Sequence, residues 1–114
     1  MQAPPSSSIQ TVTLGNFDDV ARRPGVLVLD FSAKWCGPCR VFAPVLAAAA
    51  AKRPELGWGT VDTDDEPALA VRLDVRANPT IVVLRDGAVV YKHVGAMSAA
   101  KFDELLERVT RAAA

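Results

Sequence analysis

The chain has 114 residues, half of them hydrophobic, and its 13 basic and 13 acidic residues cancel to a formal net charge of zero. This length and composition suit a single domain with a buried core. Basic and acidic residues alternate rather than cluster, so we do not expect the protein to bind nucleic acid or a membrane surface.

The amino-terminal segment, residues 1–8, is polar and rich in proline and serine, which is typical of a disordered tail. It has neither a charged start nor an apolar stretch, so it lacks the pattern of a secretory signal. The longest apolar run, residues 41–51, is too short to span a bilayer and contains Pro44. We therefore expect a cytoplasmic protein with one domain over residues 9–114.

Hydrophobic periodicity predicts five strands and four helices in the order β-α-β-α-β-α-β-β-α. The strands are predicted at residues 9–13, 26–31, 58–62, 80–84 and 88–94. The helices are predicted to start at Asn16, Cys36, Asp64 or Asp65, and Ser98, where asparagine, aspartate and serine are typical N-caps. Asp86-Gly87 indicates a two-residue hairpin turn before the last strand. Crossovers make the early strands parallel and the hairpin makes the last pair antiparallel, so we expect an α/β domain with a mixed sheet and helices on both faces.

The only two cysteines of the chain, Cys36 and Cys39, lie in a WCGPC pentapeptide at residues 35–39. Two sulfurs separated by two residues, between a strand and a helix, can form and open a disulfide with little backbone movement. In a reducing compartment such a pair is more often catalytic or metal-binding than a structural crosslink. A structural zinc site needs four ligands, whereas the chain has one histidine, His93, and no third cysteine, so we expect thiol–disulfide chemistry and no metal.

Several separated landmarks add to the pentapeptide. They are Asp30-Phe31, Pro44, Asn78-Pro79-Thr80, Asp86-Gly87 and Val94-Gly95-Ala96. In this order they resemble the thioredoxin family, from residue 9 to the end of the last predicted helix. The resemblance implies the thioredoxin fold, a five-stranded mixed β-sheet flanked by four α-helices. It also implies reduction of disulfides in other proteins through a reversible Cys36–Cys39 disulfide, with no bound cofactor.

The two cysteines are expected to have separate roles. Cys36 is the expected nucleophile, because unpaired amide protons and the positive end of the helix dipole favour its thiolate. Lys34 and Arg40 add positive charge nearby. Cys36 would attack a target disulfide and form a mixed disulfide, which Cys39, expected one turn further on and more buried, would resolve.

Asp30 is unusual because it ends an apolar strand that should be central in the sheet. We expect its carboxyl group to be partly buried, with a raised pKa. The matching aspartate of thioredoxins assists proton transfer at the second cysteine, so the resemblance implies that Asp30 is a general base for Cys39. The alternative is an aspartate whose carboxylate only caps local amides.

The resemblance also implies a docking surface for protein substrates around the disulfide. Its expected members are Trp35, Gly37, Pro38, Asn78, Pro79 and Gly95. Pro79 would follow a cis peptide bond, and the backbone of Asn78 would pair with a bound substrate strand. Gly95 would let the next loop pass close to the same surface. Simple packing is the alternative role of Trp35, and Trp58 is expected only to pack.

Three positions depart from the family pattern. Thr60 stands where a lysine usually faces the buried aspartate, Ser32 replaces an aromatic residue, and Asn78 replaces an isoleucine or threonine. Without a cation nearby, the neutral form of the Asp30 carboxyl group should be favoured further. These departures bear on the redox potential and on target preference rather than on the chemistry itself.

Two classes of function remain open from the sequence. The first is a protein-disulfide reductase that works as a monomer and is re-reduced by thioredoxin reductase, which uses NADPH. The second is a binding module in which redox turnover is secondary; the intact cysteine pair and Asp30 favour the first. The Gly37-Pro38 pair and the lack of a signal segment disfavour an oxidant or isomerase of an oxidising compartment.

Overall fold

The structure is a computed structural model that describes residues 8–111 of the chain. The predicted disordered tail, residues 1–8, lies outside the described residues except for Ser8, and so do residues 112–114. The division of the chain into a tail and one domain stays a prediction.

The elements follow the predicted order within the described residues. They are β1 (Ile9–Thr11), α1 (Phe17–Ala21), β2 (Val26–Ser32), α2 (Gly37–Lys52), β3 (Gly57–Asp62), α3 (Pro67–Arg72), β4 (Thr80–Arg85), β5 (Ala88–Val94) and α4 (Ala99–Arg111). The predicted fold class, a five-stranded mixed sheet flanked by four helices, is confirmed. Within residues 8–111, none of the helices has the length and apolar character that crossing a bilayer requires.

The strand order in the sheet is β1-β3-β2-β4-β5, with β2 at the centre. β1, β3 and β2 run parallel, whereas β4 is antiparallel to β2 and β5 is antiparallel to β4. β2 is buried from Val26 to Phe31 because both of its edges are paired and both faces of the sheet are covered there. Its carboxyl end, at Ser32, leads into the WCGPC pentapeptide.

Helices α2 and α4 cover one face of the sheet through an aromatic core. The Phe102 ring packs edge-to-face against Phe42 and Trp58, with centroid separations of 5.1 and 6.3 Å. Trp58 is buried as predicted, and its Nε1 donates a hydrogen bond to the Arg53 carbonyl oxygen at 2.9 Å. This core holds α2, the helix that follows Cys36, against the sheet.

Helices α1 and α3 cover the opposite face through a separate apolar core. Phe17 of α1 and Leu69 of α3 pack there with Leu27, Leu29 and Phe31 of β2. These β2 side chains alternate with those that face α2 and α4, as the period of two in a strand requires.

The helix starts confirm one capping prediction and correct another. Ser98 caps α4 as predicted, since its Oγ accepts a hydrogen bond from the Lys101 N–H at 3.2 Å. Asn16 occupies the N-cap position of α1, but its side chain makes no capping bond. Instead, its Oδ1 accepts from the Thr13 N–H at 2.8 Å and its Nδ2 donates to the Thr11 carbonyl oxygen at 3.0 Å. The loop before the helix therefore holds this side chain.

The predicted cap of α3 at Asp64 or Asp65 is wrong. The helix begins at Pro67, with Glu66 at the N-cap position. The N–H groups of Asp64 and Asp65 both donate to Asp62 Oδ1, at 2.9 and 3.2 Å. This aspartate turn after β3 delays the start of the helix.

Candidate active site

The WCGPC pentapeptide forms the junction between β2 and α2. Cys36 occupies the N-cap position of α2, and Cys39 lies in its first turn. Pro38 suits that turn, because an N–H at its position would have no partner within the helix. The prediction that Cys36 sits at the amino end of the helix is confirmed.

The two sulfurs are joined in a disulfide, with the Cα atoms of Cys36 and Cys39 5.2 Å apart. The Sγ of Cys36 also accepts a hydrogen bond from the Cys39 N–H at 3.2 Å. An amide donor and the positive end of the helix dipole therefore act on the same sulfur. Both favour negative charge there, which is the charge that a thiolate carries once the disulfide opens.

The expectation that Cys39 is more buried than Cys36 is wrong, because each residue is 4% exposed. The two cysteines differ in their surroundings instead. Both cysteines have exposed residues on either side of them in the chain, but Cys39 also lines a cavity formed by β1, β2, β3 and α2. Burial therefore does not distinguish the two sulfurs, whereas the contact with this cavity is a feature of Cys39.

Asp30 is buried in β2, with 3% of its surface exposed. Its carboxyl group forms no hydrogen bond among the described residues, and Oδ1 is fully buried without a partner. Burial raises the pKa of Asp30 from the ordinary 3.8 to about 7, because the charged form loses its water. The predicted rise in pKa is confirmed, and the alternative in which the carboxylate caps local amides is wrong.

One cavity brings Asp30 and Cys39 together. Its volume is about 420 Å³, and residues of β1, β2, β3 and α2 line it. Ser32 contributes to its wall, so a small polar side chain lines the cavity where the family pattern has an aromatic residue. A carboxyl group that changes its protonation near neutral pH thus shares a cavity with a sulfur that gains or loses a proton when the disulfide opens or closes.

No cation is positioned to pair with Asp30 among the residues that the structure describes. Thr60 is its Cα partner in β3 and lines the same cavity, so a short, uncharged side chain stands where the family pattern has a lysine. Lys34 also lines the cavity, but its Nζ pairs with Asp62 Oδ2 at 4.0 Å. No neighbouring positive charge therefore favours the ionised form of the Asp30 carboxyl group.

The loop before β4 lies beside the pentapeptide. Thr80 pairs with Phe31 in the sheet, which places Asn78 and Pro79 alongside the residues that lead from β2 to the disulfide. The Asn78–Pro79 peptide bond is cis, as predicted. The Gly95 N–H donates to the Pro79 carbonyl oxygen at 2.8 Å, and its φ of 101° is a conformation that favours glycine. The predicted approach of the Gly95 loop to this surface is confirmed.

The surface next to Cys36 is open to solvent. Trp35 is 67% exposed, and its Nε1 donates a hydrogen bond to Asp64 Oδ2 at 2.8 Å, so it is a surface residue rather than part of the core. Gly37 and Pro38 are exposed as well. Apart from its chain neighbours and the backbone of its own helix, no atom lies within 4 Å of the point where a side chain at Gly37 would begin. A polypeptide can therefore lie close to the backbone at this point.

Thr63 is a residue of this region that sequence reasoning missed. It follows β3, and its Oγ1 accepts a hydrogen bond from Asn78 Nδ2 at 3.0 Å. Neither residue belongs to a motif or periodicity that relates one to the other, so no sequence signal indicates the pair. Within residues 8–111, no three His, Cys, Asp or Glu side chains come together as a metal site would need.

A protein that carries its own reversible disulfide can exchange electron pairs with other thiols without a bound cofactor. The fold and the geometry around Cys36 and Cys39 define this class, the thiol–disulfide oxidoreductases.

Comparisons with known proteins give the family. The model of the thioredoxin family matches residues 8–108. The putative thioredoxin 2 of Streptomyces coelicolor is 34% identical over 100 residues, which cover 88% of this chain and 75% of that protein. The thioredoxin of Staphylococcus saprophyticus is 37% identical over 102 residues, which cover 89% of this chain and 97% of that protein. The solved structure of a mutant thioredoxin from Halobacterium salinarum is similar with a TM-score of 0.84, at 32% identity and 96% coverage of both chains.

The chain belongs to the thioredoxin family. It is a disulfide oxidoreductase whose redox-active group is the Cys36–Cys39 pair.

Proposed function

We propose that the protein reduces disulfides in other proteins and is re-reduced by a thioredoxin reductase that draws electrons from NADPH. In this proposal it acts as a monomer in the cytoplasm. The observation that carries the proposal is the Cys36–Cys39 disulfide at the start of α2, next to an open surface. The Gly37-Pro38 pair between the sulfurs favours the reducing direction, as the resemblance to thioredoxins implies.

Cys36 is the nucleophile of the proposed reaction. Its thiolate attacks one sulfur of a target disulfide, a mixed disulfide forms, and the other target sulfur leaves as a thiolate. Cys39 then loses its proton and attacks the Cys36 sulfur, which releases the second target sulfur. The target gains two electrons, and the Cys36–Cys39 disulfide forms again. The hydrogen bond from the Cys39 N–H to Cys36 Sγ supports this order of attack, because it favours the Cys36 thiolate.

Asp30 is the proposed proton acceptor for Cys39. Both residues line the same cavity, and a pKa of about 7 leaves the protonated and ionised forms of Asp30 both populated near neutral pH. The cavity, at about 420 Å³, has room for water between the two groups. Transfer of the proton from the Cys39 thiol to the Asp30 carboxylate through water fits this arrangement.

The proposed docking surface surrounds the disulfide. Trp35, Gly37 and Pro38 would form one side of it, and Asn78, Pro79 and Gly95 the other. A target segment would lie between them and add to the backbone of the cis-proline loop as a short strand. Exposure beside Cys36 and the position of the cis-proline loop support this surface.

Reduction of insulin disulfides in the presence of NADPH and thioredoxin reductase tests the proposal. We expect turnover by the wild type, and a fall to the uncatalysed rate in both Cys36→Ser and Cys39→Ser, because each lacks one sulfur of the pair. The two variants are matched controls for each other. Cys39→Ser should accumulate a mixed disulfide between Cys36 and the target, seen on non-reducing gels and by mass spectrometry, whereas Cys36→Ser should not.

Two outcomes would contradict this assignment. A wild-type protein that binds target proteins but does not reduce insulin would favour the binding module over the reductase. Accumulation of the mixed disulfide in Cys36→Ser instead of Cys39→Ser would reverse the roles of the two cysteines.

A further inference from the structure

Three segments of the chain meet at one threonine hydroxyl, near the end of the strand that leads to the disulfide. Asn78 Nδ2 donates to Thr63 Oγ1 at 3.0 Å. The Thr63 N–H donates to the Ser32 carbonyl oxygen at 2.9 Å, and Thr63 Oγ1 makes a longer contact with the same oxygen, at 3.4 Å. Thr63 thus connects the end of β2, the loop after β3 and the cis-proline loop.

The Asn78 carboxamide is held at one end and free at the other. Its nitrogen is engaged by Thr63, whereas Oδ1 accepts no hydrogen bond from the described residues. Oδ1 is also not a buried atom without a partner, since Asp30 Oδ1 is the only such atom within residues 8–111. The Asn78 oxygen is therefore not fully buried, and the hydrogen bond at Nδ2 orients it on the loop that lies alongside the approach to the disulfide.

We propose that Thr63 is a specificity-determining residue, because it orients Asn78 Oδ1 as a hydrogen-bond acceptor for the target side chain that flanks the reacting cysteine. Targets with a donor at that position, such as serine, asparagine or lysine, are then preferred over targets with an apolar residue. The proposal rests on the proposed function, since it concerns the docking of disulfide-containing polypeptides.

The physical reason is pre-organisation. A free asparagine side chain samples several rotamers and both orientations of its amide, and ordering it on binding weakens affinity. The Thr63 hydroxyl removes this freedom before the target arrives. A donor on the target then meets an acceptor already in place, whereas an apolar side chain leaves the Asn78 oxygen without water and without a partner. The effect should appear in KM rather than in kcat, because the contact is the same before and during disulfide exchange.

Two disulfide-bonded peptides test the proposal, identical except for serine or leucine next to the cysteine. They are reduced by the wild type under recycling by thioredoxin reductase and NADPH. We expect wild type to prefer the serine peptide by about tenfold in kcat/KM, mostly through KM, on the scale of one hydrogen bond. Thr63→Val keeps the shape but removes the hydroxyl, so the preference should fall to about twofold or less. Thr63→Ser restores the hydroxyl and should restore the preference.

Two further variants complete the experiment. Thr110→Val is the matched control, because it removes a threonine hydroxyl that bonds only to backbone oxygens within α4, and it should keep the wild-type preference. Asn78→Leu should favour the leucine peptide, and it carries the test if Thr63→Val does not fold. Amide NMR supplies a readout independent of activity: the Asn78 side-chain N–H signals should shift in Thr63→Val and stay in place in Thr63→Ser.

The outcomes separate this proposal from the proposed function. If Thr63→Val loses activity equally on both peptides, or loses none, Thr63 only braces the loop and the proposal is overturned. If the wild type reduces both peptides equally well, the proposal is overturned while the reductase function stands. A wild type that reduces neither peptide would overturn both.

Discussion

The two faces of the sheet differ in what the central strand β2 places on them. Leu29 and Phe31 pack into an apolar core under α1 and α3, and Val28 packs into the core under α2 and α4. Asp30, next in the alternation after Val28, is a carboxylic acid. Asp30 and Thr80 are the only buried polar residues within residues 8–111, and only Thr80 has a partner, a backbone carbonyl oxygen at 2.6 Å.

The apolar residues of β2 stabilise the fold, whereas Asp30 destabilises it. A buried carboxyl group without a hydrogen-bond partner destabilises the folded state, most of all when it is charged. Packing therefore does not account for Asp30. Its cavity is shared with Cys39, and proton transfer in the proposed reaction gives a reason for an acid at this place on one face only.

The largest expected effect comes from placing a polar group on the apolar face. Leu29 is fully buried there, so Leu29→Asn leaves a cavity and an amide without a partner. The free energy of unfolding should fall by about 5 kcal/mol. Leu29→Ala, which leaves only the cavity, should lose about 3 kcal/mol. Urea unfolding followed by circular dichroism measures both, and equal losses would show that a polar group is not penalised on this face.

Asp30→Asn is expected to act in the opposite direction and to depend on pH. Because the folded pKa of about 7 exceeds the ordinary 3.8, the folded protein keeps a proton that the unfolded chain releases. The contribution of Asp30 to the free energy of unfolding should be largest below about pH 4, fall by about 4 kcal/mol up to about pH 7, and stay level above it. The asparagine variant does not titrate, so its advantage over the wild type should grow across the same range.

Urea unfolding of the disulfide form measures this difference without a contribution from cysteine titration. Asp65→Asn is the matched control, because Asp65 is an exposed carboxylate on the wall of the same cavity. Its stability should follow the wild-type dependence on pH. If Asp30→Asn follows the wild type as well, then Asp30 does not titrate differently in the folded and unfolded states.

Thr60→Lys should reduce the difference between the two faces of the sheet, because a cation near Asp30 makes its charged form less unfavourable. Thr60 is the Cα partner of Asp30 and lines the cavity, so a lysine there can place its charge near the carboxylate. The pKa of Asp30 should fall by about 1, because a nearby positive charge favours the ionised form. An NMR titration of the Asp30 carboxyl carbon measures it, with Thr60→Val as a neutral control of similar size. Identical titrations of the two variants would mean that the lysine does not reach Asp30.

Much of the fold could be predicted from local sequence patterns. The apolar run of β2 was predictable because a strand covered on both faces needs no polar side, and its observed end differs from the prediction by one residue. The hairpin turn was predictable because Asp86 and Gly87 have φ values of 52° and 87°, and aspartate followed by glycine accepts such angles readily. The position of Cys36 at the start of α2 followed from a helical pattern that begins directly after it.

The helix caps were harder to predict because polar side chains near a helix start have more than one possible partner. Asn16 and Asp62 accept hydrogen bonds from N–H groups of their own loops rather than from a helix. The sequence lists the donors and acceptors of such a segment, but the path of the loop selects which of them meet. This also explains why Thr63 and Asn78 were not recognised as a pair.

The sequence by itself determined the class of chemistry and the architecture. Local geometry alone places two cysteines close together when two residues separate them between a strand and a helix. The alternation of side chains that builds the sheet is likewise a local pattern. Only the tertiary structure decided the surroundings of those sulfurs: their equal burial, the unpartnered carboxyl group of Asp30 and the cavity around it. Burial and hydrogen-bond partners depend on which distant segments pack together, and these set the protonation of a buried group.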